Sequence, residues 1–205
     1  MPKPLPGATR AKPTAGRPRS ADASQSACTA ALELAYEGGV PFATVERIAE
    51  RSGVAKTTLY RRWPNAACIV MDAFLADMSP EIGYRRTASV EESFVGTVQQ
   101  LISALKGRRG DLLRHLLGEA QSDARLLKAF VDNWISPRRA QAMAVIAEAR
   151  DEGELAPDID ADALVDSIYG AVYYRLMMPY KKLSAEHAEK MVRQVFEGVA
   201  GHRRP

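Results

Sequence analysis

Residues 44–65 run TVERIAERSGVAKTTLYRRWPN. Thr44 offers a side-chain oxygen that can open a short helix over VERIAERS. Gly53 ends that helix, because glycine takes the positive φ of a helix stop at little cost. AKTTLYRR then resumes a helical pattern, so two short helices are expected across one tight turn. Ala49, four residues before Gly53, is small enough for the second helix to cross closely over the first. Ile48, Val54 and Leu59 are spaced to share the apolar contact between them. A helix-turn-helix reader of DNA needs this combination, although similar hairpins also serve as plain scaffold.

The second helix discriminates further. With Leu59 facing inward, an advance of about 100° per residue puts Trp63 about 40° away, on the same inner side. Thr57 and Arg61 fall about 160° away, facing outward. Thr58 and Tyr60 flank them, and Lys56 and Arg62 stand at the shoulders. No acid occurs between Arg51 and Asp72. Arginine pairs bidentately with a guanine edge, threonine meets thymine or phosphate, and tyrosine reaches phosphate. The tryptophan fixes the helix from behind, so that this polar row can enter a major groove of double-stranded DNA.

Charge is distributed in the same sense. The 205 residues carry a net +3, but residues 1–65 hold ten Lys or Arg against five acids. The other 140 residues hold eighteen against twenty. A basic end on a near-neutral body suits a polyanionic partner, and solvated surface charge gives the same asymmetry. Residues 1–20, rich in Pro, Gly, Ala and Thr and without an acid, are expected to be a disordered basic arm. Within it Arg17 and Arg19 of GRPRS suit a narrow minor groove, and a solubilising tail is the other reading.

Elsewhere the periodicity is helical and strand-like alternation is scarce. The spacing predicts a helix from about Asp22 to Gly38, the two motif helices, and a further one opened by Pro64. Beyond them it predicts helices over 89–107 and 109–121, separated by Gly107 and Gly110. A helix over 123–134 is expected to stop at Ser136-Pro137, where the next begins and runs to about Glu152. Asp160 caps a helix to about 178, and Ser184 caps the last one. No apolar run of 18 residues exists and the basic start lacks an apolar segment, so neither a membrane span nor a secretory signal is expected. Cys28 and Cys68 lie far apart in apolar helical surroundings, as free thiols of a cytoplasmic protein would.

The stretch TVERIAERSGVAKTTLYRRWPN, with TAALELAYEGGVPFA before it, resembles the amino-terminal domain of the TetR family of bacterial transcriptional regulators. The likeness covers about residues 21–80. It implies an all-α protein: a three-helix helix-turn-helix domain over 21–80 and a larger effector-binding and dimerising domain over 81–205. By the same resemblance Thr44 caps the first motif helix and touches phosphate, and Lys56 and Tyr60 contact the DNA backbone. Thr57, Thr58 and Arg61 take the base-facing places, while Arg62 and Trp63 stand where the family often has histidine and phenylalanine. Ala66 departs from the family's usual lysine, which removes one phosphate contact at the start of the fourth helix.

The resemblance further implies a homodimer through the last two helices, a palindromic operator, and release from it by a small-molecule effector. Ala188, Met191, Val192, Val195, Phe196 and Val199 form one broad apolar stripe, which suits a dimer face or the monomer's own core. Phe94, Trp134, Met143, Tyr169, Tyr173, Met177 and Met178 are candidates to line an apolar pocket, or else ordinary core. Catalysis finds little support. His115 and Glu119 lie one helical turn apart without a second ligand pair, and no phosphate loop, nucleophile elbow or cysteine cluster occurs. No catalytic, metal or cofactor site is therefore expected. A constitutive DNA-binding protein without an effector, and a helical enzyme using the carboxy-terminal pocket, are the alternatives.

Overall fold

The computed structural model describes residues 19–200, with side chains from 21 to 198. All regular structure among them is helical: α1 (Arg19–Gly38), α2 (Val45–Ser52), α3 (Lys56–Arg62), α4 (Ala66–Met78), α5 (Val90–Ala104), α6 (Arg108–Ala120), α7 (Ala124–Phe130), α8 (Ser136–Asp151), α9 (Ala161–Met177) and α10 (Ala185–Ala200). A short 3-10 turn at Val40–Phe42 joins α1 to α2, and another at Ser79–Glu81 follows α4.

Helices α1 to α4 form the amino-terminal helix-turn-helix unit. Helix α1 packs against α2 and α4 through fully buried Ala27 and Ala31 and through Leu34. Small side chains there let the axes approach closely. Helix α4 is apolar nearly all round, because it also packs against α7. Its start differs from expectation. Asn65, not Pro64, caps it, with Oδ1 accepting from Cys68 N at 2.9 Å, and Pro64 precedes the cap. Asn65 Nδ2 donates to Asp123 Oδ2 at 2.6 Å, tying this cap to the cap of α7. Arg51 forks onto Glu37 and holds α2 to α1.

Helices α5 to α10 build the larger helical body. Helix α10 lies along α5 and buries Ala188, Val192 and Phe196 in the chain's own core. Three of the six residues of that apolar stripe therefore serve the monomer's own core, the second of its two readings. Met191 and Val195 remain half-buried, and the Val199 side chain lies outside the described residues. Gly110 is not a separator but an interior residue of α6. A Cβ there would stand 2.4 Å from the Leu105 carbonyl oxygen, so the preceding turn can fold back closely only over glycine.

The expected break at Ser136-Pro137 is also absent. The chain stays helical from Ala124 to Asp151 through a π-helical segment, Val131–Ile135. Ser136 N donates to Val131 O, the wider π register. Proline cannot donate to the helix ladder and its ring crowds the carbonyl four residues back. A widened turn just before Pro137 absorbs both demands without ending the helix.

Candidate nucleic-acid interface

The α2–α3 corner is fixed from both ends. Thr44 Oγ1 accepts from Arg47 N at 3.3 Å and caps α2. Gly53 closes α2 at φ 69°, in the left-handed region that a side chain would strain. Ile48 and Leu59 are fully buried between the two helices, with Val54 and Ala49 packed beside them. Burying a leucine or isoleucine this way stabilises by roughly 1.5–3 kcal/mol, so a short α3 is held by its inner face rather than by its own propensity.

Trp63 ends α3 and is buried. Its Nε1 donates to Asp72 Oδ2 of α4 at 2.7 Å, so the indole is held by a hydrogen bond as well as by packing. Across the helix Lys56, Thr57, Tyr60, Arg61 and Arg62 are exposed, and Thr58 is half-buried. Tyr60 stands 56% exposed, far more than an aromatic needed for packing. Arg61 makes no ion pair or hydrogen bond among the described residues. Lys56 reaches back to Glu46 at 3.0 Å, an exposed pair of small worth that a phosphate can replace.

Arg62 is drawn toward α1, donating to Ser24 Oγ at 2.5 Å while its guanidinium lies 5.3 Å from the Trp63 ring centroid. Ser24, Thr58, Arg61 and Arg62 thus border one shallow recess between α1 and α3. Hydroxyls and guanidinium groups around a hollow of this kind suit a phosphate oxygen. Arg19 opens α1, so this helix begins earlier than Asp22. Arg17 and the rest of the arm to residue 18 lie outside the described residues.

Inside the larger body a cavity of about 140 Å3 opens between α5, the π segment with α8, and α9. Trp134, Tyr169 and Tyr173 line it. The other pocket candidates stand elsewhere. Phe94 is fully buried, edge-on to Tyr84 at 5.0 Å and 5.6 Å from Phe196, and serves the core. Met143 and Met177 are half-buried against that core, and Met178 is 59% exposed. Sequence reasoning missed Tyr84 and Arg138, which do line the cavity. Each stands beside a second arginine or a loop glycine in sequence, with no periodic signal to mark it.

Residues 28–67 match the family model described as bacterial regulatory proteins, tetR family, and residues 85–195 match the tetracyclin repressor-like, C-terminal domain. The chain belongs to the TetR family. It is 32% identical over 184 residues to YdeS of Bacillus subtilis strain 168, an uncharacterized HTH-type transcriptional regulator, covering 90% of this chain and 93% of that one. Its fold is similar to that of the TetR family transcription regulator SCO0332, with a TM-score of 0.74 and 30% identity over 87% of this chain and 98% of the other. A Bacillus subtilis FadR, solved in complex with stearoyl-CoA, shares the fold at a TM-score of 0.63 and 19% identity, over 85% of this chain and 98% of that one. This TetR protein is accordingly a DNA-binding transcriptional regulator, with α3 as the second helix of its helix-turn-helix motif. No helix among its described residues is long and apolar enough to cross a membrane.

Proposed function

We propose that this TetR protein is a homodimeric, cytoplasmic repressor that leaves a palindromic operator when a small molecule occupies the cavity of its helical body. The observation that carries this reading is a hydrogen-bonded chain between cavity and recognition helix. Trp63 Nε1 donates to Asp72 Oδ2, and the other oxygen of Asp72 accepts from Asn133 Nδ2 at 3.0 Å. Asn133 sits in the π segment, next to Trp134 of the cavity wall. A ligand that shifts this segment therefore moves Asp72 and, with it, the anchor of α3. Only differential affinity for two conformers can drive such a change, and the π turn is a contact of the required kind. The FadR structure holds a long acyl-CoA, whereas a cavity of about 140 Å3 suits a far smaller ligand here.

DNA fragments selected from a random pool by the purified protein should carry two inverted half-sites, their centres about 34–36 Å apart or a multiple of that. Ligands that raise the melting temperature should then weaken binding to those fragments. Fragments without inverted symmetry, or operator affinity indifferent to every stabilising ligand, would overturn the reading.

Two substitutions test the α3 surface. Arg61→Ala is expected to relax base preference at one position of each half-site, costing roughly 1–3 kcal/mol where the guanidinium pairs with guanine. Competition between matched and mismatched operators measures it, and unchanged preference removes Arg61 from base readout. Lys56→Ala is expected to weaken every DNA sequence alike and to flatten the salt dependence by about one unit of slope per subunit. An unaltered slope in a salt titration removes Lys56 from the phosphate contacts.

A further inference from the structure

The cavity is apolar over most of its wall, with Ile82, Leu101, Ile135 and Val165 around the indole of Trp134. Its arginine, indole and phenol groups all carry protons to donate, and Asp166 is the one lining side chain that can only accept. Arg138 lies with its guanidinium 3.3 Å from the Trp134 ring centroid, a stacked arrangement that fixes the plane of the fork. Its Nε is buried without a hydrogen-bond partner, and its one hydrogen bond among the described residues is a long 3.4 Å donation from Nη2 to Ser79 Oγ. No carboxylate pairs with it among the described residues. Arg139, also on the wall, is by contrast fully engaged by Asp162 at 2.5 Å and Asp166 at 2.6 Å. Both carboxylates are spent on Arg139, so Arg138 is left as a donor group in excess.

The phenols add to this excess. Tyr84 and Tyr169 share one hydrogen bond at 2.6 Å, and a pair of hydroxyls joined by one bond retains a second proton to donate. Tyr173 accepts from Trp134 Nε1 at 2.7 Å, so its own proton is likewise left to give. Burial holds Tyr169 up at about 12 and pushes Tyr84 and Tyr173 upward too, so all three stay protonated at neutral pH. A buried donor without an acceptor costs free energy, and the species that relieves several such donors at once is an anion with two oxygens.

We propose that the effector of this TetR protein is a small carboxylic acid with a single-ring or similarly compact apolar body, its carboxylate held by the Arg138 guanidinium and the free phenol protons of the cavity. The proposal rests on the effector-responsive reading above and names the ligand class for that site. Size supports the compact body: a dry engineered cavity of about 150 Å3 takes benzene. Stacking on Trp134 and the donor excess then place the ring among aliphatic side chains and the carboxylate at the fork. A carboxylate that captures Arg138 also draws it from Ser79, in the 3-10 turn just after α4.

Titration calorimetry on the full chain with sodium benzoate and phenylacetate, against benzyl alcohol as the uncharged counterpart, tests the proposal. At least one of the two carboxylates should bind at least tenfold more tightly than the alcohol. Arg138→Met should abolish that difference by weakening the acids at least tenfold relative to the alcohol, and Arg138→Lys should restore part of it. Circular dichroism of each variant verifies that the fold is retained. Failure of both carboxylates to bind, equal affinity for acid and alcohol, or an Arg138→Met variant that binds the acids as before overturns the assignment. A carboxylate that binds through Arg138 yet leaves affinity for selected operator DNA unchanged supports the site and overturns the effector reading instead.

Discussion

Trp63→Ala is expected to lose roughly 3–5 kcal/mol of stability and most sequence-specific DNA affinity together. The indole is buried at the end of α3, so truncation leaves a cavity where the recognition helix meets α4. It also strips Asp72 of one of its two donors, leaving Asn133 alone against a half-buried carboxylate. Such a loss is a large share of the about 5–15 kcal/mol that stabilises a typical domain, and it falls on the helix that carries the DNA-facing side chains. Denaturant unfolding with fluorescence and circular dichroism measures the stability, and anisotropy with labelled operator measures the affinity. Trp63→Phe separates the two contributions. It keeps a large ring and removes only the N–H, for an expected cost of about 1–3 kcal/mol. A Trp63→Ala protein with an unshifted midpoint would mean that α3 is held by Leu59 and Ile48 alone.

The same residue shows why the amino-terminal unit is legible in sequence. Thr44, Gly53, Leu59 and Trp63 act on neighbours within about twenty residues, so spacing and helical angle specify their roles before any coordinates are known. Asp72 and Asn133 escape such reasoning because their meeting spans 61 residues and depends on how α4 and the π segment pack. Arg138 is hidden for a related reason. In sequence it resembles a solvated charge near the start of a helix, and only the assembled body deprives it of an acid.

Where a local rule failed, another physical demand outweighed it. Pro137 promises a helix start, but the apolar faces on either side keep one continuous helix, and the π turn accommodates the missing donor. Gly110 looks like punctuation, yet close backbone approach to Leu105 makes it an interior glycine. Phe94, Met143 and Met177 have the composition of a pocket lining and the positions of core residues. Aromatic and sulfur side chains at helical spacing serve both purposes, and only the location of the void decides between them.

In the homodimer proposed above, Ser167→Arg is expected to separate the subunits and reduce operator affinity by about a thousandfold or more, toward the level of non-specific binding. A shallow groove runs between α9 and α10, bordered by Ala163, Ser167, Val195 and Gly198. Small side chains along both helices permit close approach by the same face of a second copy, the geometry of a two-fold interface. The outward half of the α10 stripe, Met191 and Val195, is what the chain's own core leaves for that contact. Ser167 is exposed, and among the described residues its hydroxyl donates only to the Ala163 carbonyl one turn back, so an arginine there leaves the monomer's packing intact. Across a two-fold axis it would instead bring a long cation against its own symmetry mate. Unaltered helix content with a halved mass in sedimentation equilibrium is the expected pair of results. Each recognition helix then binds one half-site alone, and the affinity gained from joining two binding events is lost. A dimer that persists with Ser167→Arg, at concentrations where the parent protein is dimeric, would move the interface away from this groove.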